Sequence, residues 1–321
     1  MAGGSAQEPA ARHSARTKGL IALPGSLPFS AIAVLLVCNV LWALNVVVSK
    51  LAVDDLAMPP LFYAALRSLL VVIALAPLLR RVPSSLPRVL LIGLAISGGS
   101  FSLLFIGLQT ASPSAAGIVS LTGAPLTVLF AILFLKEQVR WRRGLGIALT
   151  FVGVVIAIGS PSGLESGWGL AYVFAGAVIG AAGSVFFKRI DIGAVEMQAW
   201  AGLASVCVLF PLSFTLETGQ IEAVSAAPLA IAGCVLFAGL IVSVGAHSSY
   251  YRLLQRHDAN LVVPFTLLTP LLTIGFGAWL TGDPIGWTLI AGGALAVCGV
   301  AIIVLRPSTK LFKPLLVRPR I

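Results

Sequence analysis

The chain has 321 residues, with 21 Lys or Arg, 11 Asp or Glu, a hydrophobic fraction of 58% and a mean hydropathy of +1.03. Charged residues make up 10% here, against roughly 25% in an ordinary soluble domain, which excludes a water-exposed globule. The net charge of +10 would suit nucleic acid only as a patch on a soluble face, and here the charges only mark loops, so no nucleic-acid partner is expected.

Residues 1–29, rich in Ala, Ser, Gly and Pro, read as a disordered tail carrying Arg12, Arg16 and Lys18. The apolar run behind it is too long for a typical signal-peptide core and reads as a retained helix, with an Arg-rich organelle leader as the alternative. A span needs about 20 apolar residues to cross a hydrocarbon core near 30 Å. Ten such runs follow. The first five lie near 30–50, 60–79, 88–108, 114–135 and 141–159; the second five lie near 169–188, 196–215, 229–253, 259–280 and 285–305. Residues 306–321 form a basic tail. The fold class predicted is an all-α integral membrane protein with ten transmembrane helices. Cys38, Cys207, Cys234 and Cys298 all fall inside these runs without CxxC spacing, so neither a disulfide framework nor a metal site is implied.

Charge asymmetry tests the count. Alternating sides places Arg80, Arg81, Arg88, Lys136, Arg140, Arg142, Arg143, Lys188, Arg189, Arg252, Arg256 and both tails on one face, and only Lys50 on the other. By the positive-inside rule both termini are expected in the cytoplasm, and the setting expected is a bacterial cytoplasmic (inner) membrane.

The two halves repeat each other. A shift of 145 lays Ser114–Thr127 over Ala259–Leu272, so that Pro125 falls on Pro270. After one inserted residue, a shift of 146 puts Glu137 on Asp283, Trp141 on Trp287, Gly146 on Gly292 and Gly153 on Gly299. Five spans are an odd number, so copies at 30–160 and 169–305 are expected to sit in the membrane in opposite senses. Inverted repeats of this kind belong to carriers whose two bundles rock about a midplane site.

This pattern of small residues at Ala115, Ala116 and Gly117, mid-span prolines at Pro125 and Pro270, acidic ends at Glu137 and Asp283, and glycines in the following span resembles the EamA repeat of the drug/metabolite transporter superfamily. The resemblance covers roughly residues 30–305. It implies a ten-helix carrier, not an enzyme, with a central cavity lined mainly by spans 1, 3, 4, 6, 8 and 9. It also implies export of amino acids or similar metabolites, with bacterial aromatic amino-acid exporters as a comparable case.

Candidate substrate-binding residues follow from polar groups inside apolar runs. Trp42, Asn45 and Ser49 share one face of span 1, and an amide such as that of Asn45 must find partners in lipid or bond a solute. Span 8 offers Ser243, His247 and Tyr251, and His247 is the one group deep in a span that titrates near neutral pH in water, which makes it the candidate for proton coupling. Ser100, Thr122, Ser184 and Thr269 complete the set, while Pro125, Pro264 and Pro270 are candidate bending points. Arg67, two turns into span 2, reads as a structural cation reaching outward to Tyr63 or helix-end carbonyls. Asp283 before Pro284 reads as the N-cap of span 10.

Three readings compete, two of them within transport. A secondary transporter of zwitterionic or weakly charged metabolites leads, because fixed charge is nearly absent from the spans. A carrier of organic phosphates or nucleotide sugars would need several cavity cations, which Lys50 and Lys188 would have to supply. A lipid-modifying membrane enzyme would need clustered nucleophile, base or metal ligands, and no HExxH or GxSxG occurs. No cofactor is implied. The partners expected are a small-molecule solute and the lipid bilayer, and the sequence is compatible with a monomer.

Overall fold

The computed structural model describes residues 27–136, 141–257 and 259–305. Glu137, Asp258, most of the N-terminal tail and the whole of 306–321 therefore lie outside the described residues. Among the described residues ten helices are long and apolar enough to cross a membrane, as the sequence predicts: α1 (Phe29–Asp55), α2 (Pro60–Arg80), α3 (Leu86–Leu108), α4 (Pro113–Leu135) and α5 (Trp141–Ile158), then α6 (Gly169–Phe187), α7 (Ala194–Leu216), α8 (Pro228–Arg256), α9 (Val263–Thr281) and α10 (Trp287–Val304). The chain is an integral membrane protein. In hydrocarbon every backbone polar group must be satisfied within its own segment, which makes helices the outcome of such apolar runs. Proline opens α2, α4 and α8, where its missing N–H costs nothing. Ser112 caps α4 by accepting from the Ala115 N–H at 3.2 Å.

The packed pairs show how the halves fit. α2 lies against α7, α4 against α9 and α5 against α10. The contacts of α3 with α6 and α7 are matched by those of α8 with α1 and α2, and α4 with α6 is matched by α9 with α1. Exchanging each helix with the one five places along leaves this set unchanged. The seam between α5 and α10 is made by glycine: a Cβ at Gly146 would stand 2.7 Å from the Gly299 carbonyl oxygen, and one at Gly292 2.5 Å from the Gly153 oxygen. Backbone meets backbone there, as small residues allow between membrane helices.

Local irregularities also repeat. α4 breaks at Leu121 and Thr122, and α9 is a 3-10 turn over Val263–Leu267. Both irregularities lie just before a proline, Pro125 or Pro270, whose ring cannot bond the carbonyl four residues back. π-helical turns run over Leu94–Gly99 in α3 and Phe237–Ala246 in α8, and a shift of 145 places the first inside the second. The extra residue that separates the two shifts of the repeat is absorbed in α9 by a π turn at Gly277–Thr281, which holds one more residue than an α turn.

Two local readings change. α1 runs past its expected end at residue 50 through a π turn at Leu51–Asp55, and Lys50 pairs there with Asp54 at 2.6 Å and donates to the Gln109 carbonyl at 3.3 Å. Asp283 does not cap α10, whose N-cap is Gly286. It reaches across the halves instead, accepting from the Ser114 N–H at 2.8 Å and from the Thr281 hydroxyl at 2.7 Å. The carboxylate thus serves the start of α4, where helix dipole and free N–H groups favour it. Glu217 does the same for α2, accepting from the N–H groups of Leu61 and Phe62 at 2.8 and 3.1 Å.

Candidate functional site

A cavity of about 530 Å³ lies between α2, α3, α4, α6, α7 and α8, within the range that ordinary ligand sites occupy. Its lining runs from mid-bundle to Phe187 and Ala194, at the ends of α6 and α7 that flank Lys188 and Arg189. The expected lining differs: α2 and α7 take part, while α1 and α9 stand behind the wall. Ile96, Phe101, Leu104, Phe187 and Met197 make one side apolar, and hydroxyls of Ser97, Ser100, Ser120, Ser184 and Tyr251 are set among them.

Five of the ten sequence candidates line this space: Ser100, Ser184, Ser243, His247 and Tyr251. Ser184 donates to the Gly180 carbonyl at 2.8 Å. The other five lie outside the lining. Thr122 is fully buried and donates to the Val119 carbonyl at 2.7 Å. Thr269 donates to Asn39 Oδ1 at 2.7 Å, tying α9 to α1. Asn45 and Ser49 are buried in the bundle, with the Asn45 Oδ1 lacking a hydrogen-bond partner. Trp42 backs His247 from α1, its ring 5.2 Å from the imidazole and 5.2 Å from Tyr250. Of the prolines, Pro125 is buried beside the break in α4, Pro264 lies in the 3-10 turn of α9 and Pro270 in the helix that follows it.

Arg67 is the residue that the sequence placed differently. It does not reach outward; it is 5% exposed and stands in the cavity wall. Its Nε donates to Ser243 Oγ at 2.8 Å, and its guanidinium carbon lies 3.6 Å from the centre of the Phe101 ring. The neighbouring α8 comes this close because Gly239 has no side chain; a Cβ there would stand 3.2 Å from the Arg67 carbonyl oxygen. The stacked ring offsets desolvation of the cation by about 2 kcal/mol, far less than its transfer from water costs. Among the described residues no carboxylate lines the cavity, and the hydrogen bond from Nε to Ser243 leaves the terminal nitrogens of Arg67 without a partner there. The signal was in the sequence: a cation inside a span is a site residue by default.

The π segment of α8 supplies the rest of the geometry. An i to i+5 turn redirects carbonyls, and side chains five residues on take them up: Ser243 Oγ donates to the Ala238 oxygen at 2.6 Å, and His247 Nδ1 lies 2.9 Å from the Val242 oxygen. The same Nδ1 is 3.3 Å from Trp42 Nε1. An indole N–H only donates and a carbonyl only accepts. His247 Nδ1 therefore accepts from Trp42 when it carries a lone pair and donates to Val242 when it carries a proton. Gln198, from α7, donates its Nε2 to the Ser243 carbonyl.

Known proteins resemble this chain over most of its length. A Salmonella typhimurium "probable amino-acid metabolite efflux pump" is 27% identical over 273 residues, covering 82% of this chain and 91% of the relative. An Escherichia coli protein with the same description is 26% identical over the same shares. A "probable terminal-alkyne amino-acid exporter" of Streptantibioticus cattleyicolor is 25% identical over 74% of this chain and 80% of its own length. A solved structure described as "Crystal structure of protein" shares the fold with a TM-score of 0.55 at 24% identity, over 89% of this chain and 99% of that one. The profile of the EamA-like transporter family matches twice, over residues 29–159 and 167–305, each match taking in five of the ten spans, and the chain belongs to that family.

Proposed function

We propose that this protein is a secondary transporter that exports amino acids from the cytoplasm by alternating access, with its halves as inverted five-helix repeats, both termini cytoplasmic, and a bacterial inner membrane as its setting. One observation carries the reading: a desolvated guanidinium, without a carboxylate beside it among the described residues, stands in the wall of a mid-bundle cavity lined otherwise by apolar, hydroxyl, amide and imidazole groups. A solute carboxylate is the natural counter-ion for such a fork of donors. The lining reaches the end of the bundle that bears Lys188 and Arg189, which on the positive-inside reading is the cytoplasmic end, where an exporter loads. The efflux descriptions of the relatives agree with that direction. An organic-phosphate carrier is disfavoured, since Arg67 is the one cation in the described lining and Lys50 is paired with Asp54. A role as an enzyme is not part of this proposal.

Purified protein in liposomes should exchange labelled leucine, phenylalanine or threonine in counterflow and ignore triose phosphates and nucleotide sugars. Exchange of the phosphorylated solutes alone would overturn the reading.

His247 is the coupling group in this proposal, because its Nδ1 ties it either to Trp42 of α1 or to Val242 of its own helix according to where the proton sits. The groups around it are Arg67 through Ser243, Tyr250 and Tyr251 on α8, and Cys38 of α1, whose thiol donates to the Ala246 carbonyl at 3.4 Å. His247→Gln is expected to retain counterflow but to reduce accumulation under an imposed pH gradient to the level without one. Gradient-driven accumulation equal to wild type would remove His247 from coupling.

A further inference from the structure

We infer that Ser243 is a template for recognition of the zwitterionic head of an α-amino acid, with Arg67 as the carboxylate anchor and Gln198 Oε1 as an acceptor for the ammonium group. The inference rests on the amino-acid reading above and adds the second half of the head group to it.

Ser243 is buried, and its two oxygens hold cavity residues from other helices. Its Oγ accepts from Arg67 Nε of α2, and its carbonyl accepts from Gln198 Nε2 of α7. Its hydroxyl proton is spent on Ala238, which fixes the direction of the oxygen that Arg67 meets. Because a carbonyl can only accept, the Gln198 amide cannot be turned around: Nε2 must face Ser243. Oε1 is thereby left buried and without a hydrogen-bond partner, on a residue that lines the same cavity as Arg67. A buried acceptor left without a donor costs about 1–3 kcal/mol. The donor cannot come from Arg67 Nε, which is engaged.

On either side of Ser243, two residues that line one space thus carry terminal donors without a carboxylate, on the guanidinium, and a buried acceptor without a donor, on the amide. A plain carboxylic acid would satisfy Arg67 and leave Gln198 orphaned. An amine without a carboxylate would meet the guanidinium as a like charge. Only a head group carrying both, a short distance apart, satisfies both residues. The apolar wall of Phe101, Leu104 and Met197 then faces the side chain of the solute.

The test compares L-leucine with 4-methylpentanoate, which lacks the ammonium group, and with leucinamide, which lacks the carboxylate. Binding is measured by titration calorimetry on purified protein, and counterflow of leucine is followed in parallel. Wild type should bind leucine at least tenfold more tightly than either analogue, about one charge-assisted hydrogen bond's worth of discrimination. Gln198→Met, of similar length without the acceptor, should weaken leucine at least tenfold and leave 4-methylpentanoate within twofold of wild type, so that the two become equal. Equal affinity of wild type for leucine and 4-methylpentanoate would overturn the inference while leaving the transport reading standing. A Gln198→Met protein that loses both ligands alike would also overturn it, since Gln198 would then only shape the cavity. If wild type neither binds nor exchanges leucine, phenylalanine or threonine, the amino-acid reading itself fails, and this inference with it.

Discussion

Arg67→Gln is expected to lower amino-acid counterflow about 100-fold or more while the protein stays folded in detergent. The residue has the hydroxyl of Ser243 and the ring of Phe101 as partners but no carboxylate, so its charge is held for something that enters the cavity. Truncating one side of a desolvated charged pair costs about 2–5 kcal/mol, and each 1.4 kcal/mol is a factor of ten. Stability should hold or rise, because removing an unneutralised buried cation removes a desolvation cost. Arg67→Lys should restore only part of the activity: an ammonium is a point charge without the planar fork, and it stacks poorly on Phe101. Counterflow within threefold of wild type in Arg67→Gln would show that the guanidinium is a packing element. Thermal unfolding of the purified variants separates that outcome from misfolding.

The largest loss of stability is expected at the other side of the molecule. In Gly292→Val the new Cβ would stand 2.5 Å from both the Ala157 nitrogen and the Gly153 carbonyl oxygen, atoms of the facing backbone that cannot turn aside. Ordinary overpacking costs about 1–3 kcal/mol because side chains yield. Here two helices must separate, so a loss of about 3 kcal/mol or more, with a sharp fall in folded yield, is the expected result. Gly275→Ala and Gly233→Ala are the controls, since a Cβ at either meets nothing within 4 Å. Melting followed by size-exclusion chromatography checks the series, and an unshifted Gly292→Val would mean that the seam is looser than its geometry.

The ten spans and the repeat were legible because the requirement to satisfy backbone groups in lipid leaves a coarse and unambiguous signal in hydropathy and charge. The site was legible only in part. Helical spacing puts Trp42, Asn45 and Ser49 on one face of α1, but α1 meets α8, α9 and further helices on different faces, and spacing does not say which face borders the cavity. Thr269 illustrates this: its hydroxyl is used by Asn39 of the next helix. Gln198 was not among the sequence candidates, since a single amide in the second turn of α7, which begins at Ala194, gives no sign in the sequence of which helix it meets. Arg67 was misplaced for a related reason, since depth along a helix was read as distance from water, while Gly239 lets α8 close over it from the side. The π turns had no visible trace except in α9, where the one-residue mismatch between the two shifts marks the position.

The glycine seam bears on how such a molecule can move. α5 and α10 contribute no residue to the described cavity lining, and they meet along the full pattern of Gly146, Gly153, Gly292 and Gly299. A contact made of main chain has no rotamers to exchange and so only one arrangement. On the alternating-access reading, opening toward the far compartment is expected to leave this pair together as an axle, with the movement falling on the helices that line the chamber.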